Sequence, residues 1–222
     1  MTHAPAVPEK NIKSAMVNKS RVIVALDGIS EKEALRIAAL LKGKVWGFKV
    51  NDLLFEDPKI IRKLKKFGNV FADAKLYDIP NTVANSVRRL SAAGADMITV
   101  HASGGVKMMK AAKDNSGHSK ILAVTVLTSF GGNQKKNVLK LAKEAEKAGV
   151  DGIVCSGNEL KYLKRFRLLK VVPGIRPKDY NRKDDQKRTM TPKEAVKNGA
   201  DYLVIGRPII SSKDPLQILK EI

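Results

Sequence analysis

The stretch Asp73-Ala74-Lys75-Leu76-Tyr77-Asp78-Ile79-Pro80-Asn81-Thr82 places three charged side chains at the end of an apolar run. In a β-strand successive side chains face opposite ways, so Asp73 and Lys75 share one face and can touch. Asp78 is an odd number of residues away, and the Ile-Pro step after it cannot continue a central strand because proline lacks an N–H. The sequence therefore predicts a strand over residues 70–76, then a turn that contains Asp78 and opens a helix.

The predicted contact between Asp73 and Lys75 has a chemical consequence. An ammonium group held between carboxylates stays protonated, because opposite charges favour the charged forms of both partners. Such a lysine is suited to donate a proton and not to attack as a free amine. For an isolated Asp-x-Lys, a structural ion pair at a strand end is the simpler interpretation, and these two residues alone leave both interpretations open.

The composition predicts a soluble globular protein of 222 residues, with 43% hydrophobic and 29% charged residues. No apolar run approaches the roughly 20 residues that a membrane span needs. Residues 1–20 contain two prolines and scattered lysines but no signal-peptide core, which predicts a tail or short cap and a cytoplasmic location. The lone Cys155 lies in an apolar run and is expected to be a core residue in a reducing compartment.

The chain is strongly basic, with 42 Lys and Arg against 22 Asp and Glu and a net charge of +20. Such a field attracts polyanions, and it also speeds the arrival of a phosphorylated substrate. Nucleic-acid binding is therefore an alternative function. The lysines are spread over many amphipathic helices, however, and only 5% of residues are aromatic, which is few for base stacking. These features favour a lysine-rich solvated surface over specific nucleic-acid binding.

Eight short apolar runs alternate with helical patterns from residue 21 onward. The predicted strands are residues 22–26, 46–50, 70–76, 97–101, 121–127, 152–155, 168–172 and 202–205. Strict alternation favours an α/β fold, a compact (β/α)8 TIM barrel that forms a single domain over residues 21–222. A doubly wound parallel sheet has equally apolar strands and is the alternative that periodicity leaves open.

Polar side chains follow almost every predicted strand. Active sites of such barrels lie at the carboxyl ends of the strands. The polar residues at these ends are Asp27, Lys49, Asp73, Lys75, His101, Thr128, Ser156, Arg176 and Arg207. The sequence therefore predicts that lysines, arginines and carboxylates converge on one mouth. His101 is expected to be a supporting hydrogen-bonding residue, and the three histidines show no metal-ligand spacing.

The full motif Asp-x-Lys-x-x-Asp-Ile-Pro-Asn-Thr resembles the signature of orotidine 5′-phosphate decarboxylases, which convert orotidine monophosphate to UMP in pyrimidine biosynthesis. The resemblance extends from about Val22 to the C-terminus. It implies a homodimeric, cofactor-independent lyase without a metal. It also implies an alternating catalytic array of Lys49, Asp73, Lys75 and Asp78, in which Lys75 protonates C6 and Asp73 lies beside the leaving carboxylate. Three residues would come from the other subunit: Asp78, Ile79 and Thr82.

The resemblance also implies contacts with the rest of the nucleotide. Asp27 would bind the ribose and the pyrimidine, and Thr128 or its neighbour Ser129 would hydrogen-bond the pyrimidine. Gln186, in an Asp-Asp-Gln step, would close over the phosphate. Barrels of this class commonly bind phosphate after strands seven and eight, through backbone N–H groups and a bidentate guanidinium. The residues at these two positions are Gly174, Arg176, Gly206 and Arg207.

Two other functions remain as alternatives. Sugar-phosphate enzymes on the same scaffold, such as 3-keto-L-gulonate 6-phosphate decarboxylase and hexulose 6-phosphate synthase, share Asp-x-Lys-x-x-Asp but use Mg²⁺ and lack the Ile-Pro-Asn-Thr continuation. That continuation is present at residues 79–82 and favours the orotidine monophosphate reaction. The second alternative is a noncatalytic barrel that binds RNA through its positive charge. It gives no reason for the four charged residues of the array to occur together.

Overall fold

The computed structural model describes residues 18–127, 134–177, 180 and 189–222, and it folds as a closed barrel. Its eight parallel strands are β1 Val22–Ala25, β2 Gly47–Val50, β3 Asn69–Leu76, β4 Met97–His101, β5 Lys120–Val124, β6 Gly152–Val154, β7 Leu169–Val172 and β8 Tyr202–Ile205. Each strand pairs with the next along the chain, and β8 pairs with β1. The predicted (β/α)8 fold is confirmed, and the doubly wound alternative is wrong.

Helices surround the strands. They are α1 Glu31–Leu41, α2 Asp52–Glu56, α3 Ile60–Lys65, α4 Pro80–Ala92, α5 Gly105–Asp114, α6 Lys135–Lys147, α7 Leu160–Leu163, α8 Pro192–Lys197, α9 Arg207–Ile210 and α10 Pro215–Glu221. The starts of α1 and α8 follow capping rules: the Ser30 side chain accepts a hydrogen bond from the Glu33 N–H, and Thr191 and Glu194 form a capping box. Among the residues described, no helix is long and apolar enough to cross a membrane.

The core has two layers because side chains on each strand alternate between the barrel interior and the helices. On β1, Ile23 and Ala25 pack inside the barrel, whereas Val22 and Val24 pack towards the helices. Bulky residues of other strands complete the interior layer: Phe71, Met97, Leu122, Val171 and Val204. This layer fills the barrel, so polar groups that continue the inward positions collect above it at the carboxyl ends.

Three local features differ from the predicted elements. β5 ends at Val124, although the apolar run that predicted it continues to residue 127. Val126 and Leu127 are apolar because they line a cavity and not because they pair in the sheet. The short helices α2 and α9 were not predicted, since four or five residues are too few to show a helical period.

Candidate active site

A cavity of about 450 Å³ opens at the carboxyl ends of the strands, within the size range of small-molecule sites. Eight of the predicted site residues line it: Asp27, Lys49, Asp73, Lys75, Gly174, Arg176, Gly206 and Arg207. Val126 and Leu127 add an apolar wall. The predicted convergence of charged residues on one mouth is therefore observed. His101 and Ser156 also lie at strand ends but are not among the lining residues.

Asp73 is the centre of an alternating array of charges. Its Oδ2 lies 2.7 Å from Lys75 Nζ and 3.1 Å from Lys49 Nζ. Lys49 Nζ also lies 2.5 Å from Asp27 Oδ2. The order in space is thus Asp27, Lys49, Asp73, Lys75. Lys49 and Asp73 are buried, whereas the Lys75 side chain is 35% exposed and lines the cavity. The ammonium group of Lys75 is the one placed to meet a bound molecule.

Electrostatics keep the two buried members of the array charged. Burial alone would raise the pKa of Asp73. The positive charges of Lys49 and Lys75 outweigh this effect, together with the hydrogen bonds that Lys75 and Thr99 donate, so the pKa of Asp73 is lowered. Burial lowers the pKa of Lys49, and Asp73 and Asp27 outweigh that effect and raise it. The charge of Asp73 therefore stabilises the folded state until the pH falls through its pKa, which lies below 3.8. The charge of Lys49 stabilises the folded state until the pH rises through its pKa, which lies above 10.5.

The backbone at Lys75 is strained. Its φ of +46° is the one positive value at a non-glycine residue in the described part of the chain, and such a conformation costs roughly 1–3 kcal/mol. The register of β3 against β4 shifts between Ala72 and Leu76, which marks a bulge. The predicted contact between Asp73 and Lys75 is confirmed, but the strand is not regular where it forms. Bulges of this kind commonly re-aim a side chain beside an active site.

Thr99 supports both ends of this ion pair and was missed by the sequence analysis. It is fully buried on β4, where its Oγ1 donates a hydrogen bond to Asp73 Oδ1 (2.9 Å) and accepts one from the Lys75 N–H (2.9 Å). Thr99 shares its inward parity with Met97 and His101, and that parity is the signal that could have found it.

Two further polar residues, also missed, hold the backbone of the site. Asn51 donates from Nδ2 to the Asp73 carbonyl oxygen at 2.7 Å. Asp52, at the start of α2, accepts a hydrogen bond from the Gly28 N–H at 2.7 Å. Gly28 follows Asp27 and has a φ of +73°, a conformation that glycine adopts without steric cost. The unpredicted helix α2 therefore fixes the turn that carries Asp27.

The segment after β3 does not line the cavity of its own subunit. Asp78 lies in the turn between β3 and α4, as predicted. Asp78, Ile79 and Thr82 are all exposed, and none of them is among the lining residues of the cavity. Ile79 is 66% exposed and its neighbour Tyr77 is 64% exposed. Large apolar side chains at such exposure are typical of a surface that another chain covers.

The arginines predicted to bind phosphate lie on the loops after β7 and β8. The loop after β7 is held by a bridge between Ile175 and Met190, in which the Arg176 N–H donates to the Met190 carbonyl oxygen at 3.0 Å. Arg207 is the first residue of α9, directly after Gly206. Thr128, Ser129 and Gln186, the remaining predicted contacts, lie outside the described residues.

Cys155 and His101 show no sign of a direct catalytic role. Burial raises the pKa of the Cys155 thiol, and the side chain is almost completely buried, as predicted for a core residue. The His101 ring meets the Tyr77 ring edge-on at 5.9 Å, and burial, followed by the charge of Lys75, lowers the pKa of the imidazole. Within the described ranges, no three His, Cys, Asp or Glu side chains are grouped to hold a metal ion.

Comparison with known proteins places this arrangement in a family. The sequence model described as "Orotidine 5′-phosphate decarboxylase / HUMPS family" matches residues 20–222. The orotidine 5′-phosphate decarboxylase of Dichelobacter nodosus is 42% identical over 93% of this chain and 98% of its own length. That of Lawsonia intracellularis is 45% identical over 91% and 97%.

A solved structure agrees with the sequence comparisons. The orotidine 5′-phosphate decarboxylase of Lactobacillus acidophilus superimposes with a TM-score of 0.76 at 36% identity, over 90% of this chain and 96% of that one. The match in sequence, in fold and over nearly the whole length of these relatives shows that the chain belongs to the orotidine 5′-phosphate decarboxylase / HUMPS family.

Proposed function

We propose that the chain decarboxylates orotidine 5′-phosphate to UMP and CO2, a carboxy-lyase reaction of pyrimidine biosynthesis. The observation that carries the proposal is the array of Asp27, Lys49, Asp73 and Lys75 in one cavity with Arg176 and Arg207. A cavity for this substrate needs a proton donor at one end and cationic groups for a phosphate at the other. Relatives that carry the name of this activity match the chain along almost all of their length.

Lys75 is the proposed proton donor. In the reaction the bond between C6 and the carboxylate breaks, CO2 leaves, and the electron pair stays on C6. The Lys75 ammonium transfers a proton to C6 and is then reprotonated from water. Asp73, 2.7 Å away, forms an ion pair with the Lys75 ammonium group and lies where it would meet the leaving carboxylate. No step of this sequence requires a cofactor or a metal.

Proton donation alone does not supply the rate enhancement. General-acid assistance contributes about 10²–10⁴-fold, whereas enzymes reach roughly 10⁶–10¹⁷-fold and beyond. The remainder must come from electrostatic stabilisation of the developing carbanion by a preorganised Lys75. Lys75 is preorganised because Asp73 fixes its ammonium group and Thr99 fixes its backbone N–H. Binding of phosphate and ribose supplies the energy that holds C6 against it.

The other predicted residues are proposed to bind the ribose, the phosphate and the pyrimidine of the substrate. Asp27 Oδ1 is buried and has no hydrogen-bond partner within the described structure, which suits it to accept from a ribose hydroxyl, with Lys49 beside it. Arg176 and Arg207, with the backbone at Gly174 and Gly206, are proposed to bind the phosphate. Two contacts are carried over from the family motif alone: Thr128 or Ser129 to the pyrimidine, and Gln186 to the phosphate.

The active unit is proposed to be a homodimer with shared sites. Asp78, Ile79 and Thr82 would reach the cavity of the partner subunit and complete its array. The support is their exposure, together with the exposed apolar side chains of Tyr77 and Ile79 beside them. The carboxylate of Asp78 would also offset the positive charge of Lys75 at the end of the array.

The proposed setting of the enzyme is the cytoplasm, where a buried, free Cys155 remains reduced. Residues 21–222 are proposed to form the catalytic domain, preceded by a tail or short cap over residues 1–20. Neither proposal affects the chemistry of the cavity.

The proposed activity is tested by the loss of absorbance as orotidine monophosphate is converted to UMP, with EDTA present. We expect rapid turnover that the chelator does not change, because every proposed step uses only side chains of the chain itself. The matched assay uses 3-keto-L-gulonate 6-phosphate with Mg²⁺. Turnover of the sugar phosphate in place of orotidine monophosphate would overturn the proposal in favour of the related metal-dependent activity.

Replacing Thr99 with valine is expected to lower kcat by roughly 10–100-fold with a smaller change in KM. Valine keeps the shape of threonine but leaves Asp73 Oδ1 and the Lys75 N–H without this partner, and a hydrogen bond to a charged group contributes about 1.5–3 kcal/mol. Steady-state kinetics measure the effect. The matched control is Thr99→Ser, which restores the hydroxyl and should recover most of kcat. Equal losses in both variants would mean that the role of Thr99 is packing alone.

A further inference from the structure

Helices α6 and α7, with the residues that follow α7, form a basic segment on the outside of the barrel. Residues 135–167 contain nine Lys and Arg against four Asp and Glu. α6 packs beside α7, and Lys135 at the start of α6 lies over the Tyr162 ring of α7 at 4.8 Å. We define the basic face as the exposed cations of these two helices and their ends: Lys136, Lys140, Lys143, Lys147, Lys161, Lys164, Arg165 and Arg167.

The four lysines of α6 form a straight stripe. Their spacing of four, three and four residues keeps them on one line along a helix of 3.6 residues per turn. At 1.5 Å per residue the stripe is about 16 Å long, with neighbouring lysines about 4.5–6 Å apart along the helix axis. All four side chains are exposed, while Val138, Ala142 and Ala145 hold the opposite side of the helix in the core.

The four charges on this stripe have no ion-pair partners among the described residues. Some lysines on other helices have carboxylate partners: Lys63 with Glu31 at 2.7 Å, Lys65 with Asp96 at 2.5 Å, and Lys113 with Asp151 at 2.7 Å. Across the described ranges of the chain, no carboxylate lies within ion-pairing distance of Lys136, Lys140, Lys143 or Lys147. Four uncompensated like charges in a row favour an external polyanion.

The carboxylates near the stripe accept hydrogen bonds from other groups or are partly buried. Glu146 accepts a hydrogen bond from the Arg167 N–H at 3.0 Å, and Glu159 is buried, where its side chain accepts from the Ser156 N–H at 3.0 Å. Glu144 is partly buried at the flank of α6. The cations of the basic face therefore define its potential.

The basic face and the segment proposed to contact the partner belong to different helices. Strands follow one another around the barrel in chain order, so α6 and α7 lie outside β5, β6 and β7. The segment proposed to contact the partner follows β3 and leads into α4, and α5 separates α4 from α6. The basic face is also outside the barrel, whereas the cavity is at the strand ends. Binding at one place therefore leaves the other open.

We propose that the basic face is a second binding site, for the phosphate backbone of single-stranded RNA. A row of four exposed cations without ion-pair partners gives the chemistry, because the phosphates of a nucleic-acid backbone are a row of anions. A flexible single strand can follow a convex helix, whereas a duplex is stiff over about 150 base pairs. A lipid surface is disfavoured because residues 135–167 contain none of the large apolar side chains that are exposed in the described structure, which are Phe55, Tyr77, Ile79 and Leu127. The site does not depend on the proposed decarboxylase activity.

The test is fluorescence anisotropy of a labelled oligo(U) RNA of roughly 20 nucleotides, titrated with the full-length protein at several salt concentrations. Four phosphate contacts on a single strand predict that log K falls with log salt with a slope of about −3. The stripe variant replaces Lys136, Lys140, Lys143 and Lys147 with glutamine, which keeps helix propensity but removes four charges. We expect it to bind at least about tenfold more weakly at low salt, with a clearly shallower slope.

A matched control separates the basic face from the net charge. Replacing Lys32, Lys59, Lys66 and Lys193 with glutamine lowers the net charge from +20 by the same four units, at exposed positions on other elements. We expect this control to bind within about threefold of the unchanged protein, because local phosphate contacts dominate affinity. Both variants should keep thermal stability and decarboxylase turnover.

Three results would overturn the proposal. They are an absence of RNA binding at low salt, an equal loss in the stripe and control variants, and stripe-dependent binding to phosphatidylserine vesicles without binding to the oligonucleotide. The second result would mean that net charge acts without a site. The third would mean that the occupant is a membrane.

Discussion

Replacing Lys75 with alanine is expected to lower turnover by roughly 10⁴-fold or more, while the barrel stays folded. The substitution removes both the proton donor and the cation closest to C6, and each of these contributes at least about 10²-fold. Lys75 is not a core residue, since its side chain is 35% exposed, and Asp73 keeps Lys49 as a partner at 3.1 Å. Turnover measured by absorbance, with circular dichroism and thermal melting as checks of folding, tests the expectation.

Two further variants make the Lys75 experiment decisive. Lys66→Ala, at an exposed lysine after α3, controls for loss of one positive charge and should turn over normally. Lys75→Gly removes the amine and also relieves the positive φ, so it should be as inactive as Lys75→Ala but more stable. Near-normal turnover in either Lys75 variant would remove the proposed proton donor. Inactivity that accompanies unfolding in Lys75→Ala alone would instead point to the strained backbone.

The barrel and the centre of the site could be predicted because they depend on local patterns. Eight apolar runs separated by helical segments define the strand order, and the Asp-x-Lys spacing places Asp73 and Lys75 in contact. Both expectations agree with the structure, where the two side chains lie 2.7 Å apart. The end of β5 was misplaced because apolar residues serve both sheets and cavities, and periodicity does not separate these uses.

The supporting residues could not be predicted because they depend on contacts between distant parts of the chain. Thr99 looks like an ordinary β-branched strand residue, and its role appears only when β4 lies beside the bulge of β3. The positive φ of Lys75 contradicts the preference of lysine and is stabilised by that same neighbour. Asp52 belongs to a helix too short to predict, and its contact with the Gly28 N–H needs the folded turn.

The shared-site proposal leads to the second large effect, a recovery of activity when two inactive variants are mixed. Homodimers of Lys75→Ala lack the proton donor in both sites, and homodimers of Asp78→Ala lack the partner's carboxylate in both. A heterodimer of the two has one site with both defects and one site with neither. Random exchange in an equal mixture makes half of the dimers mixed, so about one quarter of the normal turnover should return.

A second mixture distinguishes shared sites from other causes of recovery. Lys49 and Lys75 both lie in the cavity of one subunit, so every site in a Lys49→Ala and Lys75→Ala heterodimer carries one defect. That mixture should stay inactive, although its subunits exchange equally well. Native mass spectrometry of variants with different tags measures the fraction of heterodimers.

The pattern of recovery decides where Asp78 acts. Recovery with Asp78→Ala and not with Lys49→Ala requires Asp78 to serve the partner's cavity, which agrees with its exposure and its position outside its own cavity. No recovery despite heterodimers would mean that Asp78 acts within its own subunit, and the turn after β3 would then have to fold over its own cavity. Recovery in both mixtures would contradict the assignment of Lys49 and Lys75 to the same active site. The two mixtures therefore test the dimer and the array together.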